Sequence, residues 1–250
     1  GAEHIKRLGE FEAVTRHDVK AVEYLIGEYL EAASDKLGAD TNLPSLREVV
    51  HIFCTSEDIN NLAYALTIKA ATEQVWLPSI RALLDRLRGL AEAGAAIPML
   101  AHTHGQPATP VTIGKEMAVF AHRLSRQIKR VEATEYLGKI NGATGTWAAH
   151  VVSVPGADWP TLARSFVEGL GLTWNPLTTQ IESHDWQAEL YSDVARAGRI
   201  AHNLATDAWT YISMDYFHQN LAAQGSTGSS TMPHKVNPIR FENAEANLEV

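Results

Sequence analysis

Residues 186–223 read WQAELYSDVARAGRIAHNLATDAWTYISMDYFHQNLAA, with no proline and a single glycine, Gly198. Within this stretch Leu190, Val194, Ala197, Ala201, Leu204, Ala208 and Tyr211 recur at alternating intervals of four and three. That spacing stacks side chains on one face of an α-helix. A stripe this long with no internal stop signal predicts one bundle helix of about 38 residues, roughly 57 Å at 1.5 Å per residue.

The same period recurs toward the N-terminus. From Val19 onward Val22, Leu25, Ile26, Tyr29 and Leu30 form an amphipathic stripe, and Met117, Phe120, Leu124, Ile128 and Val131 form another. Thr55 and Asp58, just after Cys54, predict a helix start, and the run continues through Leu62, Leu66, Ile80, Leu84 and Leu87 with a kink or restart at Pro78. Residues 38–44 are turn-rich and give the best candidate for a domain boundary; Ser45 and Glu48 then predict a capping box. Residues 97–110 hold three prolines and Gly105, too many breakers for regular structure, with Thr109-Pro110 expected to open the next helix. Residues 138–155 and 173–185 read as irregular, and Asp158 as the cap of a short helix. No segment alternates convincingly with period two. The predicted fold class is all-α, a bundle of long helices with its polar chemistry in loops at the helix ends.

Composition narrows the functions. The chain has 250 residues, 45% of them hydrophobic, enough to bury a sizeable core. A net charge of −8 argues against a nucleic-acid or anionic-membrane surface, since both select clustered Lys and Arg. Cys54 is the sole cysteine, which excludes an internal disulfide framework and fits a reducing cytoplasm. No run of 18 apolar residues and no signal-peptide pattern is present, so the protein is expected to be soluble. Gly1-Ala2 at one end and a helical pattern running into Val250 at the other suggest a piece of a longer protein.

The chemistry concentrates in five loop segments. Residues 225–238, GSTGSSTMPHKVNP, join a glycine-serine loop to two prolines, a lysine and an asparagine. Glycines there let backbone N–H groups converge on an anion, and Lys235 and Asn237 can hold a carboxylate. The other segments are residues 15–18 (Thr-Arg-His-Asp), 54–61, 102–110 and 178–185. The first two of these, residues 15–18 and 54–61, also read as simple helix capping. His102-x-His104 invites a metal, but no HExxH motif or cysteine pair completes a ligand set, and no metal is expected. A histidine held between glycine and proline on a loop is better placed to donate a proton or anchor a polar group, and the residues alone do not choose which histidine.

The pattern Gly-Ser-Ser-x-Met-Pro-x-Lys-x-Asn-Pro at residues 228–238 resembles the signature loop of the fumarase/aspartase superfamily. Thr103-His104-Gly105-Gln106-Pro107-Ala108-Thr109-Pro110 followed by Ile113-Gly114-Lys115-Glu116-Met117 resembles its adenylosuccinate lyase branch. Residues 16–24, Thr55-Ser56-Glu57-Asp58-Ile59-Asn60-Asn61, residues 138–143 and Thr179-Gln180-Ile181-Glu182 point the same way. The resemblance runs from about Thr15 to the C-terminus.

It implies a cytoplasmic carbon–nitrogen lyase of purine nucleotide biosynthesis that releases fumarate from adenylosuccinate and from the succinyl-carboxamide ribotide, with no cofactor. Ser229 is the implied base and His104 the implied acid. Arg16, His17, Asp18, Thr55, Ser56, Thr103, Gln180, Met232, Lys235 and Asn237 match substrate-binding positions. The implied partner is a small-molecule nucleotide, not nucleic acid or membrane, and the full-length form is implied to be a homotetramer with sites shared between subunits. On this basis residues 1–43 are the remnant of an N-terminal helical domain and residues 44–250 an incomplete central bundle. Residues 224–234 are expected to be mobile without ligand and to close over it. Another fumarate-releasing lyase of the superfamily, or a structural homologue without activity, are the alternatives; retention of both Ser229 and His104 disfavours the latter.

Overall fold

The computed structural model describes residues 1–37, 42–220, 231–232 and 234–249. In chain order the elements are α1 (Ala2–Thr15), α2 (Asp18–Leu37), α3 (Ser56–Ala71), α4 (Leu77–Ala93), β1 (Pro98–Thr103), β2 (Gln106–Thr112), α5 (Ile113–Glu132), β3 (Leu137–Gly138), α6 (Ala148–Ser153), α7 (Trp159–Gly169), β4 (Thr173–Trp174), α8 (Asp185–Ser213) and α9 (Ile239–Glu249). Helices carry the fold, as the periodicity predicts. Two compact units result, one from residues 1–70 and 135–184, the other from residues 71–134 and 185–250.

In the first unit α1 and α2 form a helical hairpin whose corner is Arg16, in the left-handed region at φ 52°. α2 buries Val19, Ala21 and Gly27. A Cβ on Gly27 would meet Arg47 Nε at 3.2 Å, so the lysine-like stem of that arginine covers the helix there. Arg47 lies in the 3₁₀ turn Pro44–Val49. The expected Ser45–Glu48 capping box does not form. Ser45 Oγ bonds instead to the backbone and side-chain oxygens of Asn42, both at 2.7 Å, and this local competition leaves a 3₁₀ turn rather than an α-helix. Beyond α3 the unit closes around Leu62, Ala65, Tyr136, Ala163, Val167 and Leu172, with β3 and β4 paired in parallel. A Cβ on Gly138 would fall 2.7 Å from Leu62 Cδ2, so a side chain there would force that buried methyl to shift.

α3 passes into α4 through one π-helical turn, Thr72–Trp76, and Pro78 stands in the first turn of α4, where its missing N–H costs least. In the second unit α4 and α5 are joined by a hairpin of β1 and β2. The α5 stripe is buried as its spacing predicts, at Met117, Phe120, Leu124, Ile128 and Val131. α8 packs on α5 and on α9, burying Trp186, Leu190, Ala197, Ile200, Ala205 and Ala208.

Two sequence expectations are corrected here. Residues 97–110 are not irregular: β1 and β2 pair antiparallel in the register Met99 with Val111 and Thr103 with Gln106, with a bulge between Leu100 and His102. Pro107 and Pro110 are tolerated because a two-stranded ribbon has only edge strands, which leave a donor-free side available. The residues of β2 are mostly exposed, so no period-two pattern arises. The cap of α5 is therefore Thr112, which accepts from Lys115 N at 3.2 Å, rather than Thr109.

The long helix is also shorter than expected, 29 residues ending at Ser213. Asp215 adopts φ 60°, its N–H bonds to Ile212 O at 3.2 Å, and Tyr216 N–H bonds to Tyr211 O at 2.9 Å. This is a Schellman termination with aspartate in the position usually held by glycine, locked by edge contacts of Tyr211 with Tyr216 and Phe217. Among the described residues no helix is long and apolar enough to cross a membrane.

Candidate active site

Six of the expected binding residues, Arg16, His17, Asp18, Thr55, Ser56 and Gln180, lie in the first unit. His17 precedes α2, and its ring Nδ1 accepts from Lys20 N–H at 3.3 Å, an imidazole serving as helix cap. The same Nδ1 lies 3.3 Å from Asp18 Oδ1, and Nε2 faces Ser56 Oγ at 3.3 Å. Asp18, in the first turn of α2, accepts from Asn60 Nδ2 at 3.2 Å. The backbone N–H of Val19, helped by Asn60, holds the Asp18 carboxyl below its usual range. Thr55 Oγ1 accepts from Gln180 Nε2 at 3.1 Å, a contact between residues 125 apart in sequence. Arg16 stands exposed at the left-handed corner beside His17. Together these groups present hydroxyls, an amide, an imidazole and a guanidinium, a set suited to anionic and hydroxyl-bearing ligands.

Behind this surface lies a buried polar core that the sequence reading took for simple capping. Asp58 and Lys139 are both fully buried and pair at 2.8 Å. The Asp58 carboxylate also accepts N–H bonds from Thr55 at 2.9 Å, Asn141 at 3.0 Å and Gly142 at 3.1 Å. Asn61 grips the Lys139 backbone on both sides, accepting from its N–H at 2.8 Å and donating to its C=O at 3.0 Å. An unpaired ion here would be costly, and these donors are what make the burial tolerable. The Thr55-to-Asp58 spacing was legible as a helix start. Its partners 81 to 84 residues away were not, apart from the quoted Gly138-to-Ala143 segment.

Glu182, also fully buried, organises the loop carrying Gln180. It accepts from Asn175 Nδ2 at 2.9 Å and from His184 N–H at 2.7 Å.

The other expected residues belong to the second unit. His104 and Gly105 are the two loop residues of the β1–β2 hairpin, at φ 54° and 72°. Positive φ at both positions makes a type I′ turn, whose twist matches the strands. His104 is therefore exposed at the tip with Thr103 at its flank. His102 is drawn back along the strand, Nδ1–H donating to Leu100 O at 3.2 Å, and its ring lies 6.2 Å from that of Tyr216. Met232, Lys235 and Asn237 are exposed in the segment before α9. Lys235 N–H closes a turn on Met232 O at 3.0 Å, and Gln219 Nε2 donates to Val236 O at 2.8 Å. Ser229, and with it most of residues 224–234, lies outside the described residues. Among the described residues no three His, Cys, Asp or Glu side chains converge as a metal site.

A family model described as "Lyase" matches residues 2–248. The chain belongs to the lyase family. Among curated members it is similar to the adenylosuccinate lyase of Escherichia coli strain K12, 49% identical over 98% of this chain and 52% of that protein. The adenylosuccinate lyase of Vibrio cholerae is 50% identical over 97% of this chain and 52% of that protein. The chain thus spans about half the length of the curated lyases it matches. Among solved structures, the fumarate lyase from Mesorhizobium sp. BNC1 superposes with a TM-score of 0.73 at 20% identity, over 98% of this chain and 51% of that one. The 3-carboxy-cis,cis-muconate lactonizing enzyme from Pseudomonas putida gives 0.73 at 22% identity, over 97% and 50%. At these identities the two structures establish the fold alone, which this chain shares with both.

Proposed function

We propose that this chain is part of an adenylosuccinate lyase, converting adenylosuccinate to AMP and fumarate and the succinyl-carboxamide ribotide to its carboxamide and fumarate. The observation that carries the reading is 49 to 50% identity to adenylosuccinate lyases across nearly the whole chain. Residues 1–43 are then what this chain holds of an N-terminal helical domain, and residues 44–250 belong to the central bundle.

The reaction requires a base to take a proton from the succinyl carbon beside a carboxylate. Electrons of that C–H bond become the new C=C bond of fumarate as the C–N bond breaks, and an acid delivers a proton to the departing nitrogen. In this reading Ser229 is the base and His104 the acid, the latter carried free of packed structure at a hairpin tip. Lys235 and Asn237 hold the succinyl carboxylates, with Met232 contributing through its backbone. Thr103, the Thr55–Gln180 pair, the His17–Ser56 pair, Arg16 and Asp18 bind the rest of the substrate. No cofactor or metal enters. The complete enzyme acts in the cytoplasm as a homotetramer with shared sites.

Fumarate release from adenylosuccinate, followed for this chain and for a form extended to the length of its relatives, tests the reading. The extended form should turn over and its Ser229→Ala variant should lose at least about 100-fold in kcat, a typical general-base contribution. An extended form that releases no fumarate overturns the substrate assignment, and a Ser229→Ala variant of near-normal rate overturns the base.

A further inference from the structure

The Thr55–Gln180 contact is held from both ends by one carboxylate. On one side, Thr55 N–H donates to Asp58 Oδ2 at 2.9 Å. On the other, Asn141 N–H donates to Asp58 Oδ1 at 3.0 Å, and Asn141 Nδ2 donates to Thr178 Oγ1 at 2.7 Å. Thr178 Oγ1 in turn donates to the carbonyl of Thr179 at 3.0 Å, immediately before Gln180. Gln180 Nε2 then returns to Thr55 Oγ1 at 3.1 Å and closes the ring. Lys139 neutralises the shared carboxylate, and Gly145 presses the 142–146 loop so closely on residues 178–179 that a Cβ would fall 2.1 Å from Thr178 O.

Stability alone does not account for this ring. A buried ion pair is on average no more stabilising than apolar residues of the same volume, so its use is better sought in what it orients. Here it orients two backbone segments more than 80 residues apart onto one pair of ligand-facing side chains. We infer that Asn141 and Thr178, anchored on the Asp58–Lys139 pair, are positioning residues that set the Thr55–Gln180 pair for substrate. The inference rests on the proposed lyase reading for the identity of the ligand, and on the hydrogen-bond ring for the rest.

Thr178→Val tests it, because valine keeps the volume and removes both the acceptor for Asn141 and the donor to Thr179. In the extended enzyme the variant should raise KM for adenylosuccinate about tenfold with kcat changed far less, the size of a lost coupling between neighbours. Thr178→Ser, which restores the hydroxyl, should restore KM. Combining Thr178→Val with Thr55→Val should cost no more than the worse single variant, since both act through one contact. Strictly additive effects, or an unchanged KM in Thr178→Val, would overturn the positioning role. Should the extended enzyme release no fumarate, the side-chain amide resonance of Gln180 in this chain still decides the matter. Thr178→Val must move it while Thr178→Ser leaves it near its native place, and a resonance indifferent to both sinks the inference.

Discussion

Removing the cation from the buried pair separates the contribution of charge from that of shape. In Lys139→Met the methionine fills the aliphatic stem, and Asp58 stays fully buried with three backbone N–H donors, at 2.9, 3.0 and 3.1 Å, but no counter-charge. Deleting one partner of a buried pair costs about 3–5 kcal/mol, and the retained charge-assisted bonds put this case near the lower end, about 3 kcal/mol. With a urea dependence of about 2 kcal/mol per molar, the unfolding midpoint should drop by about 1.5 M. Tryptophan emission reads it, because Trp147 and Trp159 both lie in the same compact unit as the pair. Adding Asp58→Asn to Lys139→Met removes the uncompensated charge and should recover about half the loss, since the amide oxygen still accepts from the backbone. A midpoint within experimental error of the parent for Lys139→Met, or a double variant less stable than the single, would refute this account of the buried pair.

Two further outcomes follow from backbone strain and from titration. Gly145→Ala places a side chain at φ 74° with its Cβ 2.1 Å from Thr178 O and 2.8 Å from Thr179 O, so backbone must move; a loss of about 3 kcal/mol or more is expected in the same urea assay. Burial against Phe53 and Trp159 depresses the His150 pKa below its usual value. The unfolded chain therefore binds a proton here that the folded chain refuses, and this share of stability is lost as pH falls below about 6.5. His150→Phe should flatten the decline of the thermal midpoint between about pH 7 and pH 5.5, and an unchanged slope would show that another group controls it.

What could be read in advance divides along the range of the interactions. The α5 stripe and the Asp158 cap, which accepts from Thr161 N at 3.2 Å, are local, and both were legible from spacing. The hairpin at residues 98–112 was not, because its prolines sit on edges and most of its side chains, Met99 apart, are exposed or half-exposed, which erases the period-two signal. The stop at Ser213 was hidden for a different reason: aspartate, not glycine, takes the left-handed position, and aromatic contacts hold it there. In the site, the polar segments announced themselves, and Thr55, Ser56, His17 and Gln180 do meet. Asp58 looked like a cap and is one, but the lysine 81 residues away that shares its burial leaves no mark in local sequence.

The interleaving of the two units carries a consequence for synthesis. At translation rates of about 5–20 residues per second, Asp58 leaves the ribosome roughly 4–16 s before the lysine that will neutralise it, given a separation of 81 residues. Throughout that wait neither unit has all its chain, since each is assembled from two stretches that the other interrupts. An apolar residue held in suspense for so long would seek other greasy surfaces. A carboxylate is content in water, so a latch built from opposite charges lets the first stretch of chain stay hydrated until the second arrives to close over it.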